Sequence, residues 1–370
     1  MIGYPAECDV AIVGAGPAGS ATAIELRRQG YRVALIERSD FRQPRIGETL
    51  PPHAMATLAD LGCLERFLSD GHASSPGVVS LWGDAEPYEN DFLFSPYGQG
   101  WHLDRARFDE MLCSAAADAR ADCMRQTTVR SVAMRETEAR LHCLTAGKEW
   151  QLSTRFVIDA TGQAASLARM LGSKALVHDQ LAVTYATCAA GARADWRTYV
   201  EAVEQGWWYA ARLPDGQVIV AYLTSLDLLS HGQERDVWLR SLQDTELISG
   251  LINPAFVSPL RMKVARVARL SRFSGAGWLA AGDAALSFDP LSSAGIWKSL
   301  ESGRQAAQAT IANLNESAHS LADYDQSCAA AFAAHLRDRD YYYSQVRRWS
   351  GSPFWTARQS NQAPLAAVAT

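Results

Sequence analysis

The feature that most constrains the fold of this chain is a glycine-rich turn near the N-terminus. An apolar run, Asp9–Val13, leads into Gly14–Gly19, which reads GAGPAG, and a segment of helical character follows over Ser20–Arg28. A second apolar run, Tyr31–Ile36, ends on Glu37. Strand, glycine turn, helix, strand and acid within about thirty residues predict a βαβ unit that binds a dinucleotide.

Each residue type in the turn has a physical reason. Gly14 permits the tight turn, and Gly16 lets the backbone approach a pyrophosphate. Gly19 lets the helix pack closely on the strand. Pro17 and Ala18 open the helix, whose N-terminus favours the charge of a phosphate. We therefore expect these five residues to bind the cofactor.

The acid at the end of the second strand indicates which dinucleotide is bound. Glu37 lies where a carboxylate can accept hydrogen bonds from the hydroxyls of an adenosine ribose. A negative charge there favours an unphosphorylated ribose, so FAD or NAD fits and NADP does not. Arg38, the next residue, is included in the predicted cofactor-binding set.

Composition excludes several classes of protein. The 370 residues are 48% hydrophobic and 20% charged, with a formal net charge of −5. The length suggests two joined domains, and the composition argues against disorder or a fibre. Because there is no long basic run, we expect no nucleic-acid partner.

The cysteines and the N-terminus bear on the compartment. Seven cysteines occur without a C-x-x-C pair, and an odd number argues against a complete disulfide framework. We expect reduced thiols, no metal site and a cytoplasmic protein. The first apolar stretch, Val10–Val13, is too short to span a bilayer, so no membrane span is predicted.

Three further motifs follow in the later part of the chain. Phe156–Gly162 reads FVIDATG, and Gly277–Ala285 reads GWLAAGDAA. Asp289–Ile296 reads DPLSSAGI and precedes a helix with small residues. Only one complete G-x-G-x-x-G is present, so only one dinucleotide has a dedicated phosphate loop.

Together these motifs resemble the para-hydroxybenzoate hydroxylase class of flavoproteins, which includes aromatic hydroxylases, geranylgeranyl reductases and flavin-dependent halogenases. The resemblance implies FAD as the cofactor. It implies that Asp283, after Gly282, holds the ribityl chain, and that Asp289–Gly295 presents backbone amides to the pyrimidine end of the flavin. The resemblance assigns further cofactor contacts to Arg45, Glu48, Arg105, Asp159, Gly162, Pro290, Ser293, Ala294 and Ile296.

The implied fold class is α/β, with a doubly wound, Rossmann-type FAD-binding domain. We expect this domain to be discontinuous, over residues 1–75, 100–170 and 272–330. Frequent hairpin signals predict an inserted antiparallel β-sheet domain for the substrate, over 76–99 and 171–271. Residues 331–370 are expected to form a C-terminal helical tail.

An aromatic segment in the inserted domain, Gly206–Pro214, is a candidate substrate wall. On a strand, Trp207 and Tyr209 share one face and Trp208 takes the other. Substrate contacts are predicted for Trp207, Tyr209 and, on the next strand, Tyr222. Core packing is the alternative, since aromatic residues suit strands, and one bulge would exchange the two faces.

Two observations bear on catalysis. His53 follows the R-x-G-E element at residues 45–48 and is the candidate catalytic residue, with a structural role as the alternative. The aromatic segment lies where flavin halogenases carry G-W-x-W-x-I-P but departs from that pattern. Halogenases also need a lysine in the N-terminal region, and no lysine precedes Lys148. Halogenation is therefore not expected.

The resemblance implies an FAD-dependent monooxygenase in which reduced flavin reacts with O₂ and oxygen is transferred to an electron-rich aromatic ring. G-x-G-W-H-L-D-R, G-W-W-Y and D-P-L-S-S-A-G-I are most similar to flavoproteins that mature cysteine tryptophylquinone in amino-acid oxidases. The substrate would then be a tryptophan of a partner protein, and the electron donor NAD(P)H or a separate flavin reductase. The alternatives are a reductase of isoprenoid-type double bonds, a halogenase and a non-catalytic FAD-binding assembly factor.

Overall fold

The computed structural model describes residues 4–359 apart from residues 44, 137, 230, 231, 233 and 318. Residues 360–370 of the predicted tail therefore lie outside the described part. The strands of the described residues, in chain order, are β1 Glu7–Val13, β2 Val33–Ile36, β3 Thr49–Leu50, β4 Ala73–Ser75, β5 Gly77–Leu81, β6 Tyr88–Asp91, β7 Gly100–His102, β8 Asp122–Met124, β9 Thr127–Met134, β10 Ala139–Thr145, β11 Lys148–Asp159, β12 Ala175–Ala190, β13 Thr198–Val203, β14 Gly206–Arg212, β15 Val218–Thr224, β16 Ile252–Val257, β17 Arg261–Leu270, β18 Ser274–Gly275, β19 Trp278–Ala280 and β20 Leu286–Ser287. The α-helices are α1 Pro17–Arg28, α2 Ala54–Asp60, α3 Leu64–Ser69, α4 Arg105–Asp118, α5 Ser166–Met170, α6 Glu234–Gln243, α7 Gly295–Leu314, α8 Ser320–Gln345 and α9 Pro353–Gln359.

The chain divides into two compact units. The first comprises Met1–His72, Leu103–His178 and Val267–Phe332, and the second comprises Ala73–His102, Asp179–Arg266 and Ala333–Thr370. Of the tail predicted as a separate segment, the described residues 333–359 belong to the second unit and residues 331 and 332 to the first. The first helix of the tail, α8, begins at Ser320, well before the predicted boundary at residue 331.

The first unit is built on a mainly parallel sheet. Its strand order is β18-β19-β11-β1-β2-β8, and β1 pairs in parallel with both β11 and β2. The antiparallel strands β9 and β10 extend β11. All four residues of β2 are buried, as expected for a parallel strand covered on both faces. The doubly wound α/β fold predicted from the sequence is confirmed.

Small residues bring α1 and α7 into close contact in this unit. The hydroxyl of Thr22 donates to the backbone oxygen of Gly303 at 2.9 Å. A Cβ on Gly303 would lie 2.3 Å from the backbone oxygen of Ala18, so only glycine fits at that position. This packing holds the start of α1 against α7, the helix that follows the DPLSSAG segment. The glycine turn before α1 is held in place with it.

The second unit contains part of a mainly antiparallel sheet, in which β12-β15-β14-β13-β5-β6 are neighbours in that order and β16 pairs with β12. Strands β15, β14 and β13 form a meander joined by short turns. β5 pairs in parallel with β13, and β6 continues from β5 as an antiparallel hairpin strand. The sheet therefore places the aromatic strand β14 in its interior and β6 at its end.

Candidate functional site

The glycine turn lies at the carboxyl end of β1. Gly14 has φ +104°, and a Cβ there would lie 2.2 Å from the backbone oxygen of Ala160. A Cβ on Gly19 would lie 1.8 Å from the backbone oxygen of Gly14. Around Gly16, by contrast, nothing lies within 4 Å of a Cβ position. Two glycines are thus required by packing, while Gly16 leaves open space before the N-terminus of α1, where a pyrophosphate can approach.

Glu37, directly after β2, is a buried and oriented carboxylate. Its Oε2 accepts from the amide of Ala15 at 2.9 Å, and its Oε1 accepts from the amide of Ser39 at 2.8 Å. A guanidinium nitrogen of Arg45 lies 3.8 Å from Oε1. A carboxylate has about four lone-pair sites, so it can still accept hydrogen bonds from a ribose. Arg38, the next residue, is exposed.

Asp109 joins two of the predicted arginines. This fully buried residue of α4 accepts from Arg45 at 2.8 Å and from Arg105, through both carboxylate oxygens, at 3.2 Å. Arg105 also donates to the backbone oxygen of Gly47 at 2.8 Å. Sequence reasoning did not include Asp109 in the site. The i,i+4 spacing to Arg105 was a signal, but the approach of Arg45 is set by tertiary structure.

Glu48 follows Arg45 by three residues in the chain. Its side chain is buried, and its backbone oxygen accepts from the amide of Leu103 at 2.8 Å. The preceding Gly47 has φ +103°, a conformation that favours glycine. The R-x-G-E segment is therefore a fixed turn next to the N-terminal end of α4.

Asp159, at the end of β11, holds its own loop. It is fully buried, and one carboxylate oxygen accepts from the amide and hydroxyl of Thr161 at 2.9 and 2.7 Å. The other oxygen accepts from the amide of Ala168 at 2.7 Å. Burial raises the pKa of this carboxyl, and these hydrogen bonds act in the opposite direction. Gly162 has φ +67° and open space at its Cβ position, so at this corner the backbone, rather than Asp159, can meet a ligand.

The Gly282-Asp283 pair follows β19. A Cβ on Gly282 would lie 2.7 Å from the Cβ of Ala18, and its amide donates to Ser302 Oγ at 2.8 Å. Desolvation raises the pKa of Asp283 to about 6, and the positive charge of Arg105 partly opposes that rise. The charge of Arg105, on α4, therefore acts on Asp283, although the two residues are far apart in the chain.

The DPLSSAG segment forms a turn that leads into α7. Asp289 is buried, and its Oδ1 accepts from the amide of Leu291 at 3.0 Å. Ser293 has φ 47° and donates its amide to the backbone oxygen of Pro290 at 3.0 Å. Ala294 caps the helix, which begins at Gly295 with open space at the Cβ position. The first backbone amides of a 20-residue helix can therefore face a ligand, with Ile296 buried behind them.

His53 belongs to the contact between α2 and α7. Its ring packs edge-on against Trp297, with 4.2 Å between ring centroids. Desolvation lowers the pKa of His53, and the charge of Glu301 opposes this. Thr57 joins the same contact by donating to Glu301 at 2.7 Å and accepting from the indole of Trp297 at 3.1 Å. The geometry gives His53 a packing role, and a catalytic role stays a prediction.

Trp207, on β14 of the second unit, is fully packed. Its indole N–H donates to the hydroxyl of Tyr343 at 3.1 Å, and its ring centroid lies 5.9 Å from that of Trp82. Tyr209, two residues on, is only half-buried. The sequence interpretation expected both to contact substrate. Trp207 is covered by residues of its own unit, which is the core packing that the sequence left open as the alternative, and a substrate contact stays a prediction.

Trp208 points to the opposite face of the sheet, as expected. It stacks on Tyr222 at 5.0 Å and contacts Trp238 of α6, and its indole N–H donates to Ser241 Oγ at 3.1 Å. Tyr222 is the direct cross-strand partner of Trp208 and lies on the same face. The structure therefore separates Tyr222 from Trp207 and Tyr209, with which it was grouped.

The described residues offer neither a metal-binding cluster nor a membrane-spanning helix. No group of three or more histidine, cysteine, aspartate or glutamate side chains in residues 4–359, with the gaps noted above, is arranged to hold a metal ion. Every helix in the same part of the chain is too short or too polar to cross a membrane.

Comparison with known proteins places these features in context. The sequence model of a family described as FAD binding domain matches residues 7–339. The chain is 28% identical over 363 residues to LodB of Marinomonas mediterranea, named as an FAD-dependent oxidoreductase, covering 96% of this chain and 98% of LodB. The structure of QhpG, titled a peptidyl tryptophan dihydroxylase essential for tryptophylquinone cofactor biogenesis, is 25% identical with a TM-score of 0.79, covering 99% of this chain and 81% of QhpG. The myxobacterial chondrochloren halogenase CndH shares the fold, with a TM-score of 0.87 at 23% identity, over 96% of this chain and 86% of CndH.

Proposed function

This chain belongs to the FAD binding domain family. We propose that it is an FAD-dependent monooxygenase that hydroxylates a tryptophan side chain of a partner polypeptide. FAD is its cofactor, and the chain is an FAD-dependent oxidoreductase. The observation that carries the proposal is the likeness to QhpG, which covers 99% of this chain at 25% identity. The likeness to LodB, over 98% of that protein, supports it.

The residues of the first unit fit FAD. In our assignment, the open space at Gly16 and the start of α1 accept the pyrophosphate, and Glu37 accepts the ribose hydroxyls. Asp283 accepts a ribityl hydroxyl, and the start of α7 offers its amides to the pyrimidine end. Bound FAD, once reduced, would supply the electrons with which O₂ is activated.

Arg105 has a positioning role in this assignment. Its guanidinium is fixed by Asp109 and by the backbone oxygen of Gly47, and its charge acts on Asp283. A positive charge held beside Asp283 favours the ionised form of that carboxyl, which accepts hydrogen bonds. Asp109 thereby links Arg45, near the ribose site, with Arg105, near the ribityl site.

Halogenation is the second candidate, because CndH shares the fold at a TM-score of 0.87. The absence of lysine before Lys148 argues against it, as does the sequence GWWYAARLP in place of G-W-x-W-x-I-P. We propose NAD(P)H or a separate flavin reductase as the electron donor.

One experiment separates the candidates. The FAD-loaded protein is reduced chemically without air, which avoids the question of the donor, and ¹⁸O₂ is then added with a tryptophan-containing peptide and bromide. We expect the peptide to gain ¹⁸O on its tryptophan. Bromine on the indole would establish the halogenase instead, and an unmodified peptide together with reoxidised flavin would contradict both proposals.

A further inference from the structure

The second unit exposes a cluster of large apolar side chains in one short stretch, which we call the acidic aromatic segment, Asp84–Tyr97. The exposed fractions are 68% for Tyr88, 78% for Leu93, 92% for Phe94 and 52% for Tyr97. Single exposed apolar residues are ordinary, but a contiguous group of them marks an interaction site.

The exposure of this cluster is built into the local structure. Asp91 caps the short turn after β6 by accepting from the amide of Leu93 at 2.9 Å. The amide of Phe92 donates to the backbone oxygen of Pro76 at 2.8 Å, and that of Ser95 donates to the backbone oxygen of Phe92 at 2.9 Å. These hydrogen bonds hold the turn in a defined conformation, so Leu93 and Phe94 are presented to solvent by an ordered backbone.

The segment is also acidic. It carries the exposed carboxylates of Asp84, Glu86, Glu89 and Asp91, and no lysine or arginine occurs between residues 66 and 105 of the sequence. Arg197, 3.7 Å from Asp91, offsets one of these charges. Two copies of such a surface would repel each other, whereas a basic segment would be attracted to it.

The sheet connects this segment with the predicted substrate residues. β6 is the last strand of its sheet, so its outer edge can accept an added strand. Across the sheet, Tyr88 pairs with Ser80, Ser80 with Val200, and Val200 with Tyr209. Directly paired residues lie on one face, so Tyr88 and Tyr209 share a face across three strand spacings, about 14 Å.

We propose that the acidic aromatic segment docks a basic and apolar stretch of the polypeptide that carries the substrate tryptophan. The inference rests on the proposed function and deepens it by assigning the partner-binding surface. Leu93 and Phe94 act as apolar anchors, the carboxylates attract the basic residues, and the edge of β6 pairs with the docked backbone. An extended chain covers 14 Å in about four or five residues, so the docked stretch lies about that far from the tryptophan.

The test uses FAD-loaded full-length protein and two labelled peptides. In the first, a tryptophan is followed about five residues later by alternating lysine and leucine, and in the second glutamate replaces each lysine. The variants are the doubles Leu93→Ser with Phe94→Ser and Glu86→Lys with Glu89→Lys. Phe256→Ser is the matched control, because Phe256 is 67% exposed elsewhere in the same unit.

We expect the basic peptide to bind at least tenfold more tightly than the acidic peptide in fluorescence anisotropy. The Leu93 and Phe94 double variant should weaken binding of the basic peptide tenfold or more. The Glu86 and Glu89 double variant should reverse the preference between the peptides, and the control should leave both affinities unchanged. Equal affinity for the two peptides, or unchanged binding by both double variants, overturns the docking proposal.

Turnover separates this proposal from the proposed function. If docking is correct, the Leu93 and Phe94 double variant raises KM for tryptophan oxidation of the basic peptide and leaves kcat unchanged. Oxidation with the same KM in that variant means that docking fails while the function stands. Segment-dependent binding without oxidation means that the function fails while docking stands.

Discussion

Replacing Asp283 with asparagine should stabilise the FAD-free protein at pH 8 and weaken its binding of FAD. Desolvation raises the pKa of this carboxyl from 3.8 to about 6. Above pH 6 the native state must therefore hold a charged carboxylate where solvation is poor. Asparagine has nearly the same shape and carries no charge, so the substitution removes that cost.

The magnitude follows from the linkage between protonation and folding. A pKa raised in the folded state stabilises the protein below the unfolded value of 3.8, and this contribution is lost as the pH rises through about 6. A rise of the pKa from 3.8 to about 6 corresponds to about 3 kcal/mol of unfolding free energy at pH 8. In the variant, Arg105 no longer has the negative charge of Asp283 near it, and this lost attraction reduces the gain in stability. The reduction is limited, because Arg105 keeps its ion pair with Asp109.

The expected gain in the free energy of unfolding is therefore up to about 3 kcal/mol at pH 8, and it should shrink to near zero at about pH 4. In the same variant, loss of a charge-assisted hydrogen bond of about 1.5–3 kcal/mol should weaken FAD binding roughly ten- to hundredfold.

Urea unfolding of the FAD-free proteins between pH 4 and 8, followed by circular dichroism, measures the first effect, and FAD titration measures the second. Asp84→Asn, an exposed acid in the second unit, is the control and should change neither quantity. A variant no more stable than the parent at pH 8 would refute the desolvation argument. Unchanged FAD affinity would remove Asp283 from the cofactor site.

Three further predictions follow from the site. Glu37→Lys places an ammonium where an acceptor is needed, so FAD binding should weaken roughly ten- to hundredfold in a titration; unchanged affinity would show that Glu37 does not hold the ribose. Trp207→Ala and Trp208→Ala should each cost about 3–5 kcal/mol of unfolding free energy, because both side chains are fully buried, whereas Tyr209→Ala should lower turnover with a smaller loss of stability. If all three lose stability alike and keep the turnover of their folded fraction, the segment is core only. When the protein is incubated with reduced FAD, O₂, bromide and an indole, mass spectrometry should detect no brominated product. A brominated product would contradict the prediction that the protein does not halogenate.

The fold class and the cofactor could be predicted from the sequence, because both rest on short motifs near the strand ends. Gly14, Gly19 and Gly282 are required because their missing Cβ atoms would collide with neighbouring backbone or side-chain atoms, and such requirements appear in the sequence as fixed glycines at fixed spacing. Glu37 could be assigned because the strand that precedes it is short, fully buried and close in sequence to the turn. Gly19 is limited by the backbone of Gly14, five residues away, so its requirement is local in the sequence. The atoms that exclude a Cβ at Gly14 and Gly282 belong to Ala160 and Ala18, which are distant in the chain, so for these two glycines the sequence shows the motif and the structure supplies the cause.

Contacts between residues far apart in the chain could not be predicted from the sequence, because they depend on how the elements pack. Asp109 joins Arg45 and Arg105, although 64 residues separate Asp109 from Arg45. Trp207 donates to the hydroxyl of Tyr343, 136 residues away, and this contact could not be predicted from the strand pattern. Alternation along β14 predicted the two faces correctly, but which face is filled depends on helices that pack against the sheet from elsewhere in the sequence. Tyr222 lies on the same face as Trp208 because the two residues are direct cross-strand partners, and the register between strands cannot be predicted from composition.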